Sequence, residues 1–197
     1  TFSCWATGPD RSAFRGIREL PSGHYMRVGA KGILEETCWW DIAFAGRDDM
    51  RVESEEVLAE ELRGLLHSST GLRLRADVPV GAYLSGGLDS SLTASIVRRV
   101  SDTPLASFAV RFADPLFDES QYQEQMAREL NTDLCSVDIR GKEIAEVFPE
   151  VVRLAEKPLL RTAPAPLLLL SREVKRNNFK VVLTGEGADE MLAGYNI

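Results

Sequence analysis

The sequence predicts an α/β fold: a parallel sheet with helices on both faces, preceded by a β-hairpin. Three observations predict it. From residue 78 onward, short apolar runs of strand length alternate with helix-period segments, and such alternation builds a parallel sheet through crossover connections. The runs are nearly continuous in apolar character, as in Leu105, Ala106, Phe108, Ala109, Val110 and Phe112, which suits a strand buried on both faces. Ahead of them, two strand-like runs flank a glycine turn, the pattern of a hairpin. At 197 residues, 44% hydrophobic and 27% charged, the chain has the size and balance of one medium globular domain, or of one domain plus a fragment.

Pro21-Ser22-Gly23 marks a turn, 24–28 a first strand, 29–32 a second turn and 32–40 the returning strand. A lone hairpin is marginally stable in water, so it must pack on something else. His24 lies alone on the first strand and reads as structural. Residues 46–54 are polar and aperiodic and read as a linker, which puts the hairpin in 1–45 and the α/β domain in 55–197. A helix follows Ser54, with Glu55 and Glu56 in its first turn where the macrodipole favours acids. Its inner stripe is Leu58, Leu62, Leu65 and Leu66, and it closes near Gly71.

The central strand begins at Asp77-Val78-Pro79 and runs through Val80, Ala82, Tyr83 and Leu84. Ser85-Gly86-Gly87 ends it, and a helix with Leu92, Ile96 and Val97 on one face follows. Pro104 breaks the chain before the strand 105–112. Asp118 caps the next helix, whose inner stripe is Tyr122, Met126 and Leu130. Residues 134–139 form a third strand. Ile144, Val147, Val151 and Leu154 indicate a helix that Pro149 kinks or breaks. Residues 157–166 are irregular and proline-rich, 167–176 read as helix and 180–184 as the fourth strand.

The bulk numbers exclude several classes. The formal charge is −7 and no long basic run occurs, so nucleic acid is not an expected partner. Glu53, Glu55, Glu56, Glu60 and Glu61 read as the solvated face of a helix. No apolar run approaches the roughly 18 residues of a membrane span. The three cysteines, Cys4, Cys38 and Cys135, match no metal spacing. They read as free thiols of a cytoplasmic protein, with Cys38 packed beside Trp39 and Trp40 and Cys135 buried in its strand. Nothing near Cys4 supplies a base for a nucleophile. The chain starts without Met, in mid-motif, as expected of a piece of a longer protein.

Two turns carry the chemistry. Strand, glycine turn and helix together aim backbone N–H groups at an anion, and Gly86 and Gly87 let the backbone approach it closely. Ser85, Ser90 and Ser91 add neutral donors. Asp89 repels a polyphosphate unless it holds a divalent cation that the phosphates share. The second turn, Gly185-Glu186-Gly187-Ala188-Asp189-Glu190, also follows a strand, so both turns belong at the carboxyl edge of the sheet, facing one crevice. Either turn alone is common. A carboxylate across from Asp89 completes a cation site.

The string Ser-Gly-Gly-Leu-Asp-Ser-Ser at 85–91 resembles the pyrophosphate-binding loop of the N-type ATP pyrophosphatases, and lacks the lysine of a Walker loop. Residues 77–91 with 182–190 resemble glutamine-hydrolysing asparagine synthetase. Residues 14–25, Phe-Arg-Gly-Ile-Arg-Glu-Leu-Pro-Ser-Gly-His-Tyr, resemble the closing hairpin of that family's glutaminase domain. The resemblance implies an adenine nucleotide alpha hydrolase-like fold, and ATP and Mg²⁺ as cofactors. It implies activation of the aspartate side chain as an acyl-adenylate, and attack by ammonia taken from glutamine.

By position, it assigns pyrophosphate to Ser85, Gly86, Gly87, Asp89 and Ser90, and Mg²⁺ to Asp89 and Asp189. Leu84, Val110 and Gly185 line the adenosine site, and Glu186 guides or deprotonates ammonia. Arg161 and Thr162 contact substrate or phosphate. It admits a homodimer. The family's N-terminal cysteine nucleophile and a later lysine are not in this chain, so the chain alone is expected to bind nucleotide weakly and not to turn over. Two alternatives stand beside this: another carboxylate-activating ligase, such as a β-lactam synthetase or peptide cyclase, and a non-catalytic nucleotide-binding module.

Overall fold

The computed structural model describes residues 11–44, 46–101, 104–192 and 194. The readings of Thr1 and Cys4 lie outside them. The chain divides into two compact units, Thr1–Glu53 with Pro149–Arg161, and Ser54–Phe148 with Thr162–Ile197.

In the first unit, β1 (His24–Gly29) and β2 (Gly32–Cys38) pair antiparallel, from His24↔Cys38 to Gly29↔Gly32. The Trp39 and Trp40 N–H groups both donate to Gly23 O, closing the open end of the hairpin. Tyr25 donates its hydroxyl to Glu35 Oε1 at 2.9 Å across the strands. His24 Nδ1 lies 2.9 Å from Ser22 O, so that nitrogen carries the proton in a local turn contact. Lys157 Nζ lies 2.9 Å from Glu19 Oε2 and ties the 149–161 segment to the stretch before the hairpin; an exposed pair of this kind contributes at most about 1 kcal/mol. Cys38 is exposed, and Trp39 beside it is 68% exposed. This corrects the expectation of a packed cysteine: on a two-stranded ribbon, an aromatic neighbour does not bury a residue.

The second unit holds a four-stranded parallel sheet in the order β5-β4-β3-β6. Its strands are β3 (Val80–Tyr83), β4 (Ala106–Phe112), β5 (Asp133–Ile139) and β6 (Val181–Leu183). The helices are α1 (Glu55–Arg73), α2 (Leu88–Val100), α3 (Ser120–Leu130), α4 (Gly141–Ala155, whose residues from Pro149 on are counted in the first unit), α5 (Pro164–Arg176) and α6 (Ala188–Leu192). Side-chain alternation divides the core in two. Ala82 and Leu84 turn to one face, where Ala94 and Val97 of α2 and Ala127 of α3 meet them. Phe108 turns to the other, against Leu170 and Val174 of α5 and edge-on to Phe179. The expected parallel sheet with helices on both faces is therefore present.

The strand order explains where a site can form. From β3 the chain steps outward to β4 and β5, then returns across the sheet to β6 on the far side of β3. The direction of winding reverses at β3, and such a switch point leaves a crevice at the carboxyl ends of the strands. Strand β3 pairs with β4 only at Ala82↔Ser107 and Tyr83↔Phe108. One more bond, Leu84 N–H to Phe108 O at 2.9 Å, ends the contact before the chain peels away.

Several helix expectations are corrected. In α1, Leu65 is 61% exposed and Leu62 is exposed too, while the buried residue of the helix is Thr70. In α3 the inner face is Gln123, Met126, Ala127 and Leu130, and Tyr122 stands outside at 58% exposure. Asp118 acts one residue ahead of the cap position, accepting from Ser120 N–H and its hydroxyl. Helix α4 continues through Pro149 without a break. Helix α5 begins at Pro164 rather than 167, with proline in its first turn, where no N–H is needed.

Cys135 is half-buried among the residues of the Phe108 face. Burial first, then the Glu173 and Asp133 carboxylates, raise its thiol pKa. The thiolate is the nucleophile, so a raised pKa slows alkylation at neutral pH. Iodoacetamide is expected to label Cys38 about tenfold faster than Cys135, by peptide mapping over time; equal rates would contradict the burial of Cys135.

Candidate active site

The turn after β3 is held by its own hydroxyls. Ser85 N–H donates to Ser90 Oγ at 3.1 Å, and Gly87 N–H donates to Ser85 Oγ at 3.2 Å. Ser90 Oγ donates to Gly87 O at 3.2 Å, and the two hydroxyl oxygens are 2.8 Å apart. A hydroxyl has one proton, so Ser90, having given its own to Gly87, receives that of Ser85. Ser90 is buried and Ser85 exposed. Ser85 is thus the hydroxyl that can turn to a ligand, while Ser90 braces the turn.

Gly86 has φ of +89°, and a Cβ there would lie 2.9 Å from Tyr122 Cβ at the start of α3. The turn therefore needs glycine for both backbone angle and space. Helix α2 starts directly after Gly87, with no side chain capping it, so its first N–H groups and the positive end of its dipole face the crevice.

The second turn reaches the first. A Cβ on Gly185 would lie 2.9 Å from both Asp89 Cβ and Ser90 N, and 3.0 Å from the Asp89 carbonyl carbon. Backbone touches backbone here, with no room for a side chain. The two turns close one cavity of about 370 Å³. Leu84, Ser85, Gly87, Asp89, Ser90, Val110, Gly185, Glu186 and Asp189 all line it. Gly86 belongs to the same turn but is directed against α3. Arg161 and Thr162 do not line this cavity; they fall on either side of the division between the two units. Among the described residues, no group of three or more His, Cys, Asp or Glu side chains gathers as a metal cage.

Among the wall residues that the sequence reading missed are Phe112, Phe117 and Gln123. Phe112 and Phe117 meet edge to face, with centroids 6.4 Å apart. Phe112 closes its strand and Phe117 follows the Asp114-Pro115 turn, so the folding-back of the chain there was the signal for that pair. Gln123 is 2% exposed and donates from Nε2 to Val110 O at 2.9 Å and Ser85 O at 3.3 Å. Nothing in the sequence marked this glutamine, because its type ordinarily faces water.

A family model described as asparagine synthase matches residues 61–197. The chain belongs to the asparagine synthase family. Amidase chyE of Penicillium rubens is 32% identical to it over 200 residues, covering 94% of this chain and 30% of that protein. Glutamine-hydrolysing asparagine synthetase 1 of Bacillus subtilis is 36% identical over 143 residues, covering 73% of this chain and 22% of its own length. The chain thus spans less than a third of these curated relatives. A glutamine-dependent NAD+ synthetase from Acinetobacter baumannii, solved with ADP, superposes with a TM-score of 0.51 at 19% identity. That match covers 84% of this chain and 34% of the synthetase, and it bears on fold alone.

Proposed function

We propose that the protein carrying this chain makes an amide at the expense of ATP, activating the aspartate side chain and adding ammonia drawn from glutamine to give asparagine. The observation that carries this is the contact of Gly185 with Asp89 and Ser90, which brings a phosphate-type turn and an acidic turn to one cavity. Membership of the asparagine synthase family supports it. In this reading the hairpin is the closing piece of a glutaminase domain in 1–45, followed by a linker at 46–54 and the synthetase domain from 55. The protein works in the cytoplasm.

The site residues take their roles from position. Ser85, Gly86 and Gly87, with the first N–H groups of α2, bind and orient the β- and γ-phosphates. The aspartate carboxylate attacks the α-phosphorus, and the bond from that phosphorus to the pyrophosphate oxygen breaks. Charge gathers on the departing pyrophosphate, where oriented N–H groups stabilise it most. Leu84, Val110 and Gly185 line the adenosine end. The ammonia nitrogen then attacks the acyl carbon, AMP leaves, and Glu186 holds the proton released. Arg161 and Thr162 are assigned to substrate contact by the resemblance alone.

The residues present fit Mg²⁺. That ion is held through one or two carboxylates together with substrate phosphates rather than in an all-protein cage. Asp89 and Asp189, one from each turn, both line the cavity and would be the carboxylates that hold it. Bound there, the ion supplies charge neutralisation of the phosphates.

The full-length protein, given ATP, Mg²⁺, aspartate and ammonia, is expected to release AMP, pyrophosphate and asparagine in equal amounts. ADP as the nucleotide product would overturn the reading. A second reading, another carboxylate-activating ligase, is kept because a relative not named as an asparagine synthetase, an amidase, matches across 94% of the chain. It predicts AMP release with a different acid and no asparagine.

A further inference from the structure

We propose that Gln123 is a positioning residue that locks the phosphate-side turn to the strand end at the adenosine side of the cavity. The inference rests on the nucleotide reading above. Its Nε2 donates to Val110 O at 2.9 Å and to Ser85 O at 3.3 Å. One amide thus ties Ser85, the turn residue just before the glycines, to the residue of β4 assigned to adenosine. The orientation of the amide is fixed: a flipped group would set its oxygen against two carbonyl oxygens.

The other end of the side chain explains why this is more than packing. Gln123 Oε1 is buried without a hydrogen-bond partner among the described residues. A buried, unpaired acceptor is destabilising, so an apolar side chain would serve a purely structural need better at this place on the inner face of α3. What a hydrocarbon cannot do is hold the two carbonyls together. A triphosphate spanning both ends of the cavity requires their spacing to be set in advance, and preorganisation of that kind improves the binding of the whole ligand more than of its pieces.

The test compares ligands that span the cavity with ligands that fill one end. ATP, AMP and pyrophosphate, each with Mg²⁺, are titrated calorimetrically into the full-length protein and into Gln123→Met, with thermal unfolding followed in parallel. The expected result is a loss of about tenfold or more in ATP affinity, with AMP and pyrophosphate changed less than about threefold each. Parallel losses for all three ligands, or none, would overturn the positioning role and leave the nucleotide reading standing. No binding of any of them by the unsubstituted protein would overturn both.

If Gln123→Met does not fold, Gln123→Asn is read the same way, since its amide is one methylene too short to reach both carbonyls. A measurement on the unsubstituted protein is independent of either variant. Pyrophosphate alone should slow amide hydrogen exchange in 109–113 as well as in 85–90; exchange in 109–113 unchanged by pyrophosphate would sink the proposal.

Discussion

Asp89→Asn is expected to abolish ATP–pyrophosphate exchange in the full-length protein, a fall of about a thousandfold or more. Asp89 is in the first turn of α2 and lines the cavity where phosphates are assigned. A carboxylate there has two opposite effects. It favours the helix through the dipole by about 0.3–1 kcal/mol, and it repels a bound polyphosphate. A cation between the two turns the repulsion into attraction. The substitution therefore has a sign that depends on the metal. With Mg²⁺, Asp89→Asn should weaken pyrophosphate binding. With Mg²⁺ chelated, the same substitution should leave binding equal or stronger, because a negative charge has been removed. The small dipole contribution limits the change in thermal stability, so loss of exchange cannot be attributed to unfolding. Full exchange in the variant, or weaker pyrophosphate binding without Mg²⁺, would discard the cation assignment.

The parts of the fold set by local pattern were legible. Continuous apolar runs gave the strands, and the glycine turns after β3 and β6 marked the crevice. The pattern could not say which helix face wins when two are plausible. Leu62 and Leu65 hold correct helical spacing in α1, yet they are exposed, because periodicity defines a stripe and not the surface that covers it. Tyr122 and Gln123 compete for the inner face of α3, and the residue able to bond two carbonyls takes it. That choice is made by β3 and β4, distant in sequence, which is why apolar spacing pointed to Tyr122. Pro149 shows the reverse limit. Proline lacks one helical N–H donor and crowds the preceding turn, but α4 runs through it; local propensity sets a cost that tertiary packing can exceed. The meeting of the two turns was an expectation from strand position alone, and Gly185 is the residue on which it can be tested.

Gly185→Ala is expected to force those turns apart. The added methyl would meet Asp89 Cβ and Ser90 N at 2.9 Å and the Asp89 carbonyl carbon at 3.0 Å. Two of these are backbone atoms of the helix that follows the phosphate turn, so no rotamer change relieves the overlap. Overpacking of this kind costs about 1–3 kcal/mol, and relief by backbone movement widens the gap between Asp89 and Asp189. ATP affinity should therefore fall by more than about tenfold, beyond what stability alone explains. Gly187→Ala provides the contrast. Gly187 has φ of +93° and nothing within 4 Å of an added Cβ, so that variant carries backbone strain of about 1–3 kcal/mol with no collision. Gly187 lines the same cavity, but a methyl there does not part the turns, so nucleotide binding should fall far less at 187 than at 185. Equal ATP affinity in both, measured by calorimetry at a temperature where each is folded, would show that contact between the turns is not what builds the site.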